Sequence, residues 1–101
     1  MMRNLFLVLF FALCGGLAAQ GTDEQLAAQY LGQGDYQRAA LYYDKLYKEQ
    51  PSTHNYEQLF KCRVALKEYE DAAKLAKEHS RRQGNEPRFL VDMGAVAKLM
   101  G

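Results

Sequence analysis

Tyr30-Leu31-Gly32-Gln33-Gly34-Asp35-Tyr36-Gln37-Arg38-Ala39 is the stretch that decides the fold. Glycine enters the left-handed backbone region without steric cost, so Gly34 is placed to end one helix, and the side-chain oxygen of Asp35 is placed to cap the next. Upstream, Leu26, Ala27, Tyr30 and Leu31 share one helical face. Downstream, Tyr36, Ala39, Ala40, Tyr43, Leu46 and Tyr47 return at three- and four-residue steps, leaving Gln37, Arg38, Asp44, Lys45 and Lys48 for water. Pro51 stops this second helix, which runs from about Tyr36 to Glu49. The reading is an antiparallel helix hairpin.

Working outward, Thr22-Asp23-Glu24-Gln25 has the spacing of a capping box, with Thr22 at the cap. Ser52 and Thr53 offer caps for a third helix that reaches about Leu66, with Tyr56, Leu59, Phe60, Val64 and Cys62 as its inward residues. Lys67-Glu68 turns the chain into a fourth helix from about Tyr69 to Arg82, whose apolar positions are Tyr69, Ala72, Ala73, Leu75 and Ala76. Gly84-Asn85 is expected to end that helix and cap the next, with Pro87 in its first turn. From Phe89 to Met100 only Asp92 and Lys98 interrupt an apolar run.

The pattern repeats. Leu26 and Leu59, Tyr36 and Tyr69, and Ala39 and Ala72 are each 33 residues apart, and Leu59 and Met93 are 34 apart. The first unit, with Leu26-Ala27-x-x-Tyr30, Ala39-x-x-x-Tyr43 and Pro51, resembles the tetratricopeptide repeat family, whose units are helix pairs of about 34 residues. Asp23 stands where that family carries its first aromatic. The second unit keeps Tyr56, Leu59, Tyr69 and Ala72, while Lys67 replaces the turn glycine, Arg63 the tyrosine and Gly84 the proline. Phe60 fills a small position and Ala76 an aromatic one, a volume exchange that the resemblance places across the hairpin. A third unit shows Leu90-x-x-Met93-Gly94-x-x-Ala97 and reaches Gly101, the counterpart of Gly34. The resemblance implies an all-α solenoid with units over 20–52 and 53–86, then the first helix of an incomplete unit over 87–101.

The N-terminus is read apart from this fold. Arg3, the apolar run Leu5 to Leu13 and the small residues ending at Ala19 have the layout of a secretory signal peptide over 1–19. The run is shorter than the roughly 20 apolar residues of a spanning helix, which favours cleavage over an anchor; a membrane is expected to be involved only if the leader stays. Export to a periplasmic or envelope-associated location follows as an expectation, with secretion as the alternative. Leu13 before Cys14 disfavours a lipoprotein site. Cys62 then has no cysteine to pair with and is read as a small buried residue. Without Arg3, twelve Lys or Arg face twelve Asp or Glu, a balance that argues against a nucleic-acid partner.

No spacing fits a metal site, a phosphate loop or a nucleophile, so no catalytic residue, cofactor or enzyme activity is assigned. His54 is placed in a first turn and His79 near a helix C-terminus, where positive charge is favourable. Binding by surface remains. Carried over by resemblance, the groove positions are Glu24, Ala28 and Leu31, then Glu57, Lys61 and Val64, then Val91, Ala95 and Lys98. The expected function is a scaffold for a protein or peptide partner. The alternatives are an input module at the front of a longer signalling protein, and self-association through the largely apolar segment 89–100.

Overall fold

The structure, a computed structural model, describes residues 22–101. The leader over 1–19 and Cys14 lie outside the described residues. Gly34 takes φ 76°, the Asp35 amide donates to the Tyr30 carbonyl at 2.9 Å, and the Gly34 amide donates to Leu31 at 3.0 Å. These paired bonds satisfy the carbonyls that a helix end leaves orphaned. Asp35 then caps the next helix, its Oδ1 accepting from the Arg38 amide at 3.2 Å.

The same device recurs 33 residues on. Glu68 donates its amide to Arg63 at 2.8 Å and Lys67 donates to Val64 at 3.0 Å, with Lys67 at φ 62°. A lysine there bears the strain that Gly34 avoids, roughly 1–2 kcal/mol for an L-residue in this region. The Ala39 and Ala72 amides bond to the carbonyls of Asp35 and Glu68 at 3.0 and 2.9 Å, so the two turns share these backbone bonds, although Glu68 makes no side-chain cap like that of Asp35. A third copy ends the fourth helix, through Asn85 to Ser80 at 2.7 Å and Gly84 to Arg81 at 3.2 Å.

Five helices result among the described residues, with no strand: α1 (Thr22–Gly32), α2 (Tyr36–Glu49), α3 (Thr53–Ala65), α4 (Tyr69–Arg82) and α5 (Pro87–Met100). Each packs on the next in chain order. The fold is all-α and repeat-like. Two local expectations are corrected. Asn85 occupies the left-handed region at φ 63° and completes the preceding turn, leaving Glu86 as the N-cap of α5. Thr22 lies within α1 and is not a residue that precedes it.

Ala27, Ala39, Ala40, Tyr43, Leu46, Tyr47, Tyr56, Leu59, Cys62, Leu75, Ala76 and Phe89 form one buried cluster, with Ala72 and Val96 also buried. Tyr30, Leu31, Tyr36, Phe60 and Met93 are partly buried against it. Phe60 is partly buried, its ring 5.6 Å from that of Tyr56 on the same helix, while Ala72 and Ala76 are fully buried. Tyr36 and Tyr69, which open α2 and α4, are both half-buried. At the third unit Gly94 is exposed, and a Cβ there would meet nothing within 4 Å.

Candidate functional site

The positions assigned to a groove fall on α1, α3 and α5, and their exposure repeats between the first two units. Glu24 and Ala28 are exposed with Leu31 half-buried; Glu57 and Lys61 are exposed with Val64 half-buried; Val91, Ala95 and Lys98 are all exposed. Two observations place Glu24, Ala28 and Glu57 beside the seams between successive hairpins. Glu24 and Ala28 of α1 share a cavity of about 500 Å³ with Ser52, His54 and Asn55 at the start of α3. One unit on, Glu57 of α3 faces Arg88 of α5 at 3.9 Å. Among the described residues, Lys61 and Lys98 form no salt bridge.

Behind this surface the hairpins are locked by a polar node. His79 of α4 is fully buried; its Nδ1 lies 2.9 Å from the Tyr47 hydroxyl of α2, and its Nε2 lies 3.1 Å from the Thr53 hydroxyl of α3. The ring stacks on Tyr56 at 4.4 Å between centroids and meets Phe89 of α5 edge-on at 4.6 Å. Four helices meet at one imidazole. Burial, followed by the charges of Arg82 and Arg88, pushes the His79 pKa below its ordinary value. The expectation of a favourably charged histidine near a helix end therefore gives way: burial outweighs the helix terminus. Tyr56 donates its hydroxyl to Asp92 Oδ2 at 2.6 Å, and burial with that bond drives its pKa well above the phenol range.

His79 was invisible to periodicity because histidine counts as polar there. The repeat does mark it: 33 residues earlier stands Leu46, a buried core residue. Asn55 and Ser80 were missed for the same reason. Both are buried, Asn55 donating to the Gln50 carbonyl at 2.9 Å and Ser80 to the Glu86 carbonyl at 3.2 Å. Position 63 changes role between units. Tyr30 stacks with Tyr42 at 5.8 Å, whereas its counterpart Arg63 reaches Glu68 at 3.0 Å and Asp44 at 3.7 Å.

Cys62 is fully buried, and burial raises its thiol pKa despite Arg63 and Lys61 nearby. Among the described residues no group of three His, Cys, Asp or Glu side chains is placed to hold a metal ion, and no helix is long and apolar enough to cross a membrane. The outer surface of α5 carries Leu90, Val91, Leu99 and Met100, each about half exposed or more. Comparisons with protein-family models, with curated proteins and with solved structures return no match.

Proposed function

We propose that this chain is an exported scaffold of the tetratricopeptide repeat type that holds a protein or peptide partner across α1, α3 and α5. The observation that carries the reading is the recurrence of equivalent groove residues, exposed or half-exposed, on successive first helices, while the residues behind them form the core. Stacked repeats build extended surfaces of this kind, and their contact residues are set by the repeat rather than by one loop. Glu24, Leu31, Glu57, Lys61, Val64 and Lys98 are the contact residues of this reading.

The test is selection of binding peptides from a random library displayed against the chain, followed by Lys61→Glu. Reversing that charge weakens the selected peptides at least fivefold with the far-UV circular dichroism unchanged. Unchanged affinity removes Lys61 from the surface, and selected peptides that bind away from all three helices remove the reading itself.

A second reading is favoured by one observation. Val91 is 69% exposed, Leu99 55%, Met100 51% and Leu90 48%, an apolar surface on the last helix that a second copy would cover. Light scattering decides it: a dimer that Val91→Glu converts to a monomer supports self-association, and a monomeric parent chain at high concentration removes it.

A further inference from the structure

The seam between the first two hairpins holds a group that the second seam does not. Tyr43 is 4% exposed, and its hydroxyl has no hydrogen-bond partner among the described residues. Among the described residues no side-chain polar atom is both fully buried and unpartnered, so the Tyr43 hydroxyl keeps some accessible surface, and Tyr43 lines a cavity with Glu24, Ala28 and His54. A phenol oxygen that is nearly but not wholly enclosed can accept a hydrogen bond from a group that enters the cavity.

Glu24 supplies the charge. Among the described residues it forms no salt bridge, whereas its neighbour Asp23 is tied to Lys45 at 2.9 Å. Burial first, then Cys62 and Glu24, raises the Tyr43 pKa, so the phenol keeps its proton and the carboxylate's field reaches it. The start of α3 is a competing attraction for an anion. Ser52 Oγ, however, already accepts from the Asn55 amide at 3.1 Å, and Glu24 would repel an anion.

The second seam offers a comparison, in which the exposed Arg88 lies 3.9 Å from both Glu57 and Glu86. Glu57 is the counterpart of Glu24 one unit on, and Arg88 is the counterpart of His54. In that second seam the Arg88 guanidinium stands 3.9 Å from Glu57 and 4.8 Å from the Phe89 ring. The first seam has His54 in place of the guanidinium and Asn55 in place of Phe89.

We infer that the cavity between α1 and the start of α3 is a binding site for the guanidinium of an arginine in a partner peptide, with Glu24 as its counter-ion and the Tyr43 oxygen as a second acceptor. A guanidinium has five donors in a plane and no acceptor, which suits a carboxylate and a phenol oxygen better than the single-point ammonium of lysine does. A cavity of about 500 Å³ admits the whole side chain. This site rests on the reading of α1, α3 and α5 as a peptide-binding surface.

The test uses the chain and three tripeptide probes, acetyl-Gly-Arg-Gly-amide, its neutral citrulline isostere, and acetyl-Gly-Glu-Gly-amide, followed by amide chemical-shift titration. The arginine probe shifts Glu24, Ala28, Tyr43 and Asn55 and saturates. The citrulline probe binds at least fivefold more weakly, and the glutamate probe shifts none of them. Glu24→Gln, a surface change, weakens the arginine probe at least fivefold; Tyr43→Phe, which keeps the ring packing, weakens it about threefold. Equal binding of the citrulline probe, an unchanged Glu24→Gln titration, or shifts centred elsewhere overturns the site. Failure of the scaffold reading looks different: the arginine probe still saturates this cavity, and longer arginine peptides gain nothing over it.

Discussion

His79→Ala is the change that most severely tests how the hairpins are joined. The imidazole is fully buried and bridges Tyr47 and Thr53 while packing between Tyr56 and Phe89. Taking the imidazole away from the buried Tyr47 hydroxyl, which Arg82 also approaches, costs about 1–3 kcal/mol. Losing two aromatic contacts costs about 0.5–1.5 kcal/mol each, before any cavity left behind. The sum is roughly 2–6 kcal/mol, against the ~4–12 kcal/mol expected for about 80 residues. Urea unfolding followed by circular dichroism at pH 7.5 reads it directly. The exposed His54→Ala serves as the control and stays within about 0.5 kcal/mol of the parent chain. A His79→Ala loss below about 1 kcal/mol would refute the claim that four helices depend on this residue.

The same side chain sets a pH dependence. The folded chain holds His79 below its ordinary pKa of 6.5, so on acidification the unfolded chain takes the proton first. Its contribution is complete above about pH 6.5. It declines as the pH falls from there towards the folded value, where the loss levels off. Arg82 and Arg88 oppose protonation from α4 and α5, while Glu57 and Glu78 favour it from α3 and α4. His79→Gln, which keeps an amide for Tyr47 and Thr53, flattens the slope of stability between pH 7.5 and 5. An unchanged slope would assign the acid sensitivity to other groups.

Three further outcomes follow from the turns and the core. Lys67→Gly relieves a lysine at φ 62° and stabilises the chain by about 1 kcal/mol in urea, whereas a loss would deny the strain. Gly94→Ala, inside α5 with open space around the added methyl, raises stability by about 0.5–1 kcal/mol, measured in the same way. Cys62, buried with a raised thiol pKa, resists a maleimide reagent at neutral pH in the folded chain and reacts once urea unfolds it.

Much of the architecture was legible because helix boundaries and repeat spacing are local signals. Gly34 marked the first reversal, and the limits of α2, α4 and α5 follow from where apolar periodicity meets Pro51, Arg82 and Pro87. Lys67 hid the second reversal from residue type, since lysine has no preference for positive φ; only its distance from Gly34 disclosed it. The assignment of Asn85 as a cap failed because two left-handed residues in succession displace the cap to Glu86. For the positions assigned to a groove on α1, α3 and α5, the sequence supplied their repeat spacing and nothing more. The His79 node was not, because its partners Tyr47 and Thr53 lie 32 and 26 residues away. Nor was the cavity at Tyr43, for a hydroxyl left without a partner is a property of three packed helices and of no sequence window.

The most direct measurement of the central claim is an amide chemical-shift map of the chain with its best library-selected peptide at saturation. Binding across the repeat surface moves Glu24, Leu31, Glu57, Lys61, Val64 and Lys98 together and leaves the exposed Leu41 of α2 in place. Shifts gathered on α2 and α4, with those six residues still, would contradict it.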